Sequence, residues 1–309
     1  MTAQWTPGRL GDLTGKCIVV TGATNGVGLA TATALARAGA RVVLAVRNTE
    51  LGAQRAAEMG GDTAVARLDL ADLSSVRAFP GRLDDLGADA IDILVNNAGA
   101  LTRQRTETVD GFETTIATNL LGPFALTNVL LGRVRERIIT VGSEAHKSAT
   151  LHLDDLHLRH HKWTVMGSYA ASKLAVMLWG LELDRRLRAA GSPVVSQLTH
   201  PGWVDSNLPQ VTGGPLMSVV QRGVKLVAGV LANDADAGAA TTLYCITEPI
   251  PPGSYVGVQG RFGLRGGPVL IGRSAQACDY ATAARIVQFA EHETGTELLV
   301  TGSPRSAAR

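Results

Sequence analysis

Cysteine is scarce in this chain, and net charge is close to nil. Cys17, Cys245 and Cys278 are the only thiols in 309 residues. Their odd number and wide spacing argue against a disulfide frame and suit reduced, buried thiols in a cytosolic protein. A formal charge of +2 comes with no cluster of lysine and arginine, so a nucleic-acid footprint is not indicated. The segment from Met1 to Leu13 has no apolar core of the signal-peptide kind, and no secretory leader is expected. Long apolar runs are missing too. The best candidate for a bilayer span, Leu216 to Leu231, is interrupted by Gln221, Arg222 and Lys225. These absences describe a soluble, cytoplasmic chain without a transmembrane segment. Peripheral contact with a membrane stays open.

What is present is glycine and alternation. Glycine occurs 35 times and 45% of residues are hydrophobic, enough for a sizeable core with many tight turns. Short β-branched runs at 17–21, 41–46, 63–68, 91–95, 137–141, 194–198 and 269–271 read as strands. Helix-period segments at 26–38, 49–59, 73–86, 111–132 and 168–190 separate most of them. Continuous rather than alternating apolar strands are buried on both faces, as in a parallel sheet. The expectation is an α/β, doubly wound (Rossmann) fold of about seven strands with helices on both faces. A single domain over 15–293 is expected, with an arm at 1–14, a lid at about 205–235 and a polar tail at 294–309.

The turn after the first strand, Thr21-Gly-Ala-Thr-Asn-Gly-Val-Gly28, opens a helix. Gly22, Gly26 and Gly28 let the backbone approach a pyrophosphate, and Thr24, Asn25 and Val27 complete the cradle beneath the helix N-terminus. After the second strand stands Arg47, where an acidic residue would bind a ribose 2′-OH. Arginine there accommodates a 2′-phosphate, so NADP(H) is expected over NAD(H). Asp69 and Leu70, after the third strand, are placed to meet the adenine; a helix cap is the alternative reading of Asp69.

About 145 residues beyond the glycine turn comes Tyr169-Ala-Ala-Ser-Lys173. Positions i and i+4 share a helix face, so the ammonium lies where it would lower the phenol's pKa and make it an acid–base group.

Taken in order, Thr21–Gly28, Asn96-Asn-Ala-Gly99, Asn119, Ser143, Tyr169-x-x-x-Lys173 and Pro201-Gly202 resemble the short-chain dehydrogenase/reductase family over about residues 15–290. The resemblance implies that Tyr169 exchanges a proton with a carbonyl or alcohol oxygen and that Ser143 hydrogen-bonds the same oxygen. It implies that Lys173 also binds the nicotinamide ribose, and that Asn119 kinks a helix and holds a relay water. Asn96, Ala98 and Gly99 would floor the cofactor site. Pro201, Gly202 and Val204 would meet the nicotinamide amide by their backbone, and Ser206 would replace the threonine common at the pyrophosphate. NADPH would supply the hydride.

Ser143 and Tyr169 are 26 residues apart, longer than in compact members. Glu144-Ala-His-Lys, Leu153-Asp-Asp-Leu156, Val46-Arg-Asn48, Asn119-Leu-Leu-Gly-Pro-Phe124, Glu182-Leu-Asp-Arg-Arg186 and His200-Pro-Gly202 resemble the retinol dehydrogenase and protochlorophyllide reductase branch. That branch prefers NADP and acts on lipophilic aldehydes, ketones or alcohols. His152, His157, His160 and His161 crowd the insertion, but their spacing matches no metal template; solvated or capping histidines are expected, with no metal site. Residues 213–232 place one apolar helical face that can pack as core, line an apolar substrate pocket or touch a bilayer. A regulatory NADP(H)-binding protein, or an epimerase or dehydratase on the same fold, are the competing functions. A homodimer and a monomer both remain open.

Overall fold

The computed structural model describes residues 5–202, 235–260 and 266–300. Its centre is an eight-stranded sheet in the order β3-β2-β1-β4-β5-β6-β7-β8. The strands are β1 (Cys17–Thr21), β2 (Arg41–Val46), β3 (Thr63–Arg67), β4 (Ile91–Asn96), β5 (Val134–Val141), β6 (Val195–Thr199), β7 (Tyr255–Val258) and β8 (Pro268–Leu270). All neighbours run parallel except β7 and β8, which pair antiparallel. The architecture is the expected doubly wound sheet, with one strand more. The sequence pattern hides β7, a four-residue Tyr-Val-Gly-Val stretch whose central glycine weakens a strand signal.

Successive strand residues point to opposite faces, and both faces are buried. Val19, Val43, Leu94, Ile138 and Leu198 enter one apolar core. Ile18, Val20, Val42, Leu44, Val95 and Ile139 enter the other. The second core is closed by α1 (Gly26–Arg37) and reached by α2 (Thr49–Met59). The first lies under α3 (Leu73–Arg77), α4 (Phe79–Asp85), α5 (Thr114–Ile116), α6 (Gly122–Leu130) and α7 (Val165–Ala189). The helix expected over 73–86 restarts at Ala78, since Pro80 in the first turn of α4 has no N–H for the ladder. The Tyr169 helix begins earlier than its pattern shows, at Val165, where the Thr164 side chain accepts the Gly167 N–H.

Two further helices follow: α8 (Ala235–Thr247), built largely of alanine and threonine, and α9 (Tyr280–Thr294), which buries Ala283, Ile286, Val287 and Ala290 on one face. The α8 helix packs on the second core and α9 on the first. The chain stays packed past Thr294: Leu298 is buried, and Arg186 Nη1 donates to its carbonyl at 3.0 Å. The helical stretch Thr114–Arg133 is, among the described residues, long and apolar enough to cross a bilayer, contrary to the sequence expectation. It is mostly buried and serves as a core helix. Cys245 is buried as expected, but Cys278 is exposed; all three thiols are free.

The strand order reverses between β1 and β4, the place where doubly wound sheets form a binding crevice at the carboxyl ends of their strands. The sequence puts its glycine turn after β1 and Asn96-Asn-Ala-Gly99 after β4, so the fold brings these segments together.

Candidate active site

The glycine turn is shaped by close packing. Gly22, at φ +69°, donates its N–H to Ala45 O at 3.0 Å, and a Cβ there would lie 2.9 Å from Ala98 Cβ. A Cβ on Gly28 would collide with the Asn97 amide and the Gly22 carbonyl. Thr21 holds the two segments together: its Oγ1 accepts from Asn97 N at 3.0 Å and Ala98 N at 2.9 Å, while Asn97 Nδ2 donates to Thr21 O at 2.8 Å. Gly26, at φ +50°, faces open space. Asn25 occupies the N-cap of α1 without capping it, so among the described residues no side chain consumes the first-turn N–H donors. A positive helix end, uncapped and beside an open glycine, fits a pyrophosphate. Thr24 and Val27 flank that opening, half-buried.

Arg47 follows β2, exposed, with no ion pair among the described residues. Its neighbour Asn48 caps α2 by accepting Leu51 N–H at 3.0 Å, which leaves Arg47 available to an anion. The sequence offered no second basic residue near the turn, but α2 brings one: Arg55 Nε donates to Thr24 O at 3.3 Å. Asp69 accepts from Ala71 N at 3.0 Å and is not the helix cap; Asp72 caps α3. Leu70 is buried, its carbonyl packed where any Cβ on Gly122 would collide. Asn96 also turns inward, its Nδ2 donating to Thr127 Oγ1 at 3.0 Å.

The chemistry-bearing residues converge beside this crevice. Asn119 lies in a wide π-turn, Ala117–Leu121, between α5 and α6, the kind of helix defect that redirects a side chain. Its Oδ1 accepts Ala100 N–H at 2.7 Å, and its Nδ2 reaches Ala100 O at 3.0 Å and Ser172 Oγ at 2.9 Å. Gly99 sits between: a Cβ there would come 3.2 Å from Asn119 Oδ1 and 3.6 Å from Lys173 Nζ. Ser143, two residues past β5, has its Oγ accepting Ala145 N–H at 3.2 Å and acts on the Tyr169 phenol, lowering its pKa. Asn119, Ser143, Tyr169 and Lys173 therefore form one cluster.

Its electrostatics differ from expectation. Burial pushes the Tyr169 phenol above its ordinary value, and only the Ser143 hydrogen bond pulls it down. Lys173 does not supply the lowering expected from its i+4 position. Its Nζ donates to Val141 O at 2.8 Å and stands 5.8 Å from the Tyr169 ring centre. The ammonium is itself buried without a carboxylate, and burial pushes its pKa down to about 8.

Comparison with known proteins agrees with this geometry. The short chain dehydrogenase family profile matches residues 16–213. The chain belongs to the short-chain dehydrogenase family. It is similar to polyprenol dehydrogenase of Mus musculus, 39% identical over 80% of this chain and 75% of the relative. It is likewise similar to retinol dehydrogenase 12 of Bos taurus, 39% identical over 78% of this chain and 76% of that one. Among solved structures it resembles a short chain dehydrogenase from Burkholderia cenocepacia J2315 in complex with NADP. The identity there is 26%, the TM-score 0.58, and the match covers 76% of this chain and 92% of the other. The protein is thus an oxidoreductase of the retinol dehydrogenase-like branch.

For this dehydrogenase the remaining expectations fall in three places. Pro201 and Gly202 follow β6 beside the cluster, while Val204, Ser206 and the 213–232 segment lie outside the described residues. The insertion's histidines are structural. His157 is buried rather than solvated: it stacks on Phe112 at 5.5 Å, accepts Glu113 N–H at Nδ1 and meets Glu293 at 3.1 Å through Nε2. His161 meets Asp155 at 2.9 Å, and Asp155 also accepts the N–H groups of Arg159, His160 and His161. Among the described residues no three metal-ligating side chains converge. Four further residues inside the sequence motifs make contacts that spacing alone does not show. Thr21 and Asn97 tie two segments together, Ser172 Oγ accepts from Asn119 Nδ2 and donates to Tyr169 O, and His146 Nδ1 lies 2.6 Å from Ser143 O.

Proposed function

We propose that this chain is an NADP(H)-dependent carbonyl reductase or alcohol dehydrogenase acting on a lipophilic small molecule, with Tyr169 as the general acid–base. The observation that carries the reading is the buried Tyr169 phenol with Ser143 acting on it, beside a buried lysine, in a fold whose glycine turn opens α1 without a side-chain cap from Asn25. When bound, NADPH supplies the hydride. Tyr169 holds its proton at neutral pH, because burial raises its pKa, and gives it to the substrate oxygen. Ser143 donates a hydrogen bond to that oxygen as negative charge develops. Lys173 holds a positive charge below pH of about 8, close to where the ribose of the cofactor would lie. Asn119 spans Ala100 and Ser172 and keeps the α7 face in register with the floor.

Arg47 supports NADP(H) over NAD(H), as does the NADP complex of the Burkholderia relative. The names of the polyprenol and retinol dehydrogenases support an apolar substrate. The test is a panel of apolar aldehydes and ketones assayed with NADPH and NADH, using wild type and Tyr169→Phe. Turnover with NADPH, lost in Tyr169→Phe, is expected. Tight NADPH binding without turnover of any substrate would point to a regulatory binding protein instead.

A further inference from the structure

The sheet ends at His200. Its N–H donates to Val256 O at 2.9 Å, and two residues later Gly202 takes a positive φ of +74°. Between those two points one side chain restrains the turn: His200 Nδ1 accepts the Gly202 N–H at 3.0 Å. The imidazole is almost wholly buried and has no room to swing. Tyr255 tilts against it with ring centres 5.6 Å apart, and a Cβ on Gly257 would collide with its Nε2.

An Nδ1 that accepts must belong to a neutral ring with its proton on Nε2. Nε2 lies 3.5 Å from Glu144 Oε1 without a hydrogen bond, and the Tyr255 hydroxyl donates to the same oxygen at 3.5 Å. Glu144 adjoins Ser143 in sequence and pairs with Lys147 through its other oxygen. Burial pushes His200 down to about 4, with Glu144 acting the other way and Lys147 and His146 adding to the fall. The ring is therefore neutral throughout the working pH range.

We propose that His200 is a positioning residue for the nicotinamide end of the cofactor. It fixes the Pro201–Gly202 segment through the Gly202 N–H, and the negative charge of Glu144 near Nε2 favours the tautomer that can do so. This rests on the reading of the crevice as an NADP(H) site. The logic is that of a carboxylate orienting a histidine whose other nitrogen does the work. It links the Ser143 loop to the turn after β6, so the two walls of the site share one restraint.

The test is fluorescence or calorimetric titration with NADPH and with 2′-phospho-ADP-ribose, the same molecule without its nicotinamide ring. His200→Leu removes the acceptor; His200→Asn keeps one at nearly the same place. Expected is a loss of about tenfold in NADPH affinity for His200→Leu, with the fragment bound as by wild type. His200→Asn should bind both ligands as wild type does. Glu144→Leu, on the half-buried side, reads the same contrast without opening a cavity, with a smaller loss confined to NADPH. Equal weakening of both ligands, no weakening of either, or failure of His200→Asn to recover NADPH binding would overturn the proposal. A wild-type protein that binds neither ligand would refute the cofactor reading itself, and the positioning role with it.

Discussion

Replacing Lys173 with methionine tests the electrostatics of the site without reference to any substrate. The wild-type ammonium is buried, has one carbonyl acceptor at 2.8 Å, and has its pKa pushed from 10.5 to about 8. At about 1.4 kcal/mol per pH unit, that fall costs the folded state about 3 kcal/mol where the lysine is charged in both states. The sign follows from proton counting. Below pH of about 8 the penalty is full. Between about 8 and 10.5 the folded lysine is neutral while the unfolded one is charged, so stability rises with pH; above 10.5 both are neutral and the penalty is gone. Methionine fills similar space without charge, but leaves Val141 O without its donor, a loss of about 1 kcal/mol. Lys173→Met is therefore expected to be more stable than wild type by about 2 kcal/mol at neutral pH. That advantage should shrink and then reverse in alkali. Urea unfolding of both proteins across this range gives the difference directly, and cancels groups titrating in both, such as Cys245 with its thiol pushed up to about 12. A wild-type-minus-variant difference that does not change with pH would refute the burial argument.

Other predictions follow from single contacts. Gly28→Ala must displace Asn97 or the Gly22 carbonyl and is expected to lose about 1–3 kcal/mol in thermal or urea unfolding. Gly26→Ala meets open space and should cost only the strain of a positive φ, about 1 kcal/mol, while weakening NADPH binding by titration. Arg47→Ala should erase a preference for NADPH over NADH of about tenfold, equivalent to ~1.4 kcal/mol. Carbonyl reduction should fall on the alkaline side as the raised Tyr169 phenol ionises, and Tyr169→Phe should lack that limb in a pH–rate profile.

Much of this molecule is legible in its sequence because local chemistry specifies it. Thr21 to Gly28 contains the glycines a close backbone approach demands, and Tyr169 and Lys173 share a helix face by spacing alone. Seven of eight strands coincide with short apolar, β-branched runs in the sequence. The eighth, at Tyr255, is short and carries Gly257, whose reason lies in the ring of His200 packed against it. Long-range partners leave no pattern either. Arg55 reaching Thr24 and Asn97 bracing Thr21 depend on which elements meet. Lys173 shows the same dependence on a second element. Spacing gives its proximity to Tyr169, while the direction of its ammonium is set by Val141 on another element.

The central claim is a proton from Tyr169 delivered in step with hydride from NADPH. Wild type and Tyr169→Phe would be incubated with 4-deuterated NADPH and a long-chain apolar aldehyde, and the alcohol product examined by mass spectrometry. Deuterium in the product with wild type, formed at least about a hundredfold more slowly by Tyr169→Phe, is the predicted result. Label transfer at equal rates in both proteins, or an unlabelled product, would contradict it.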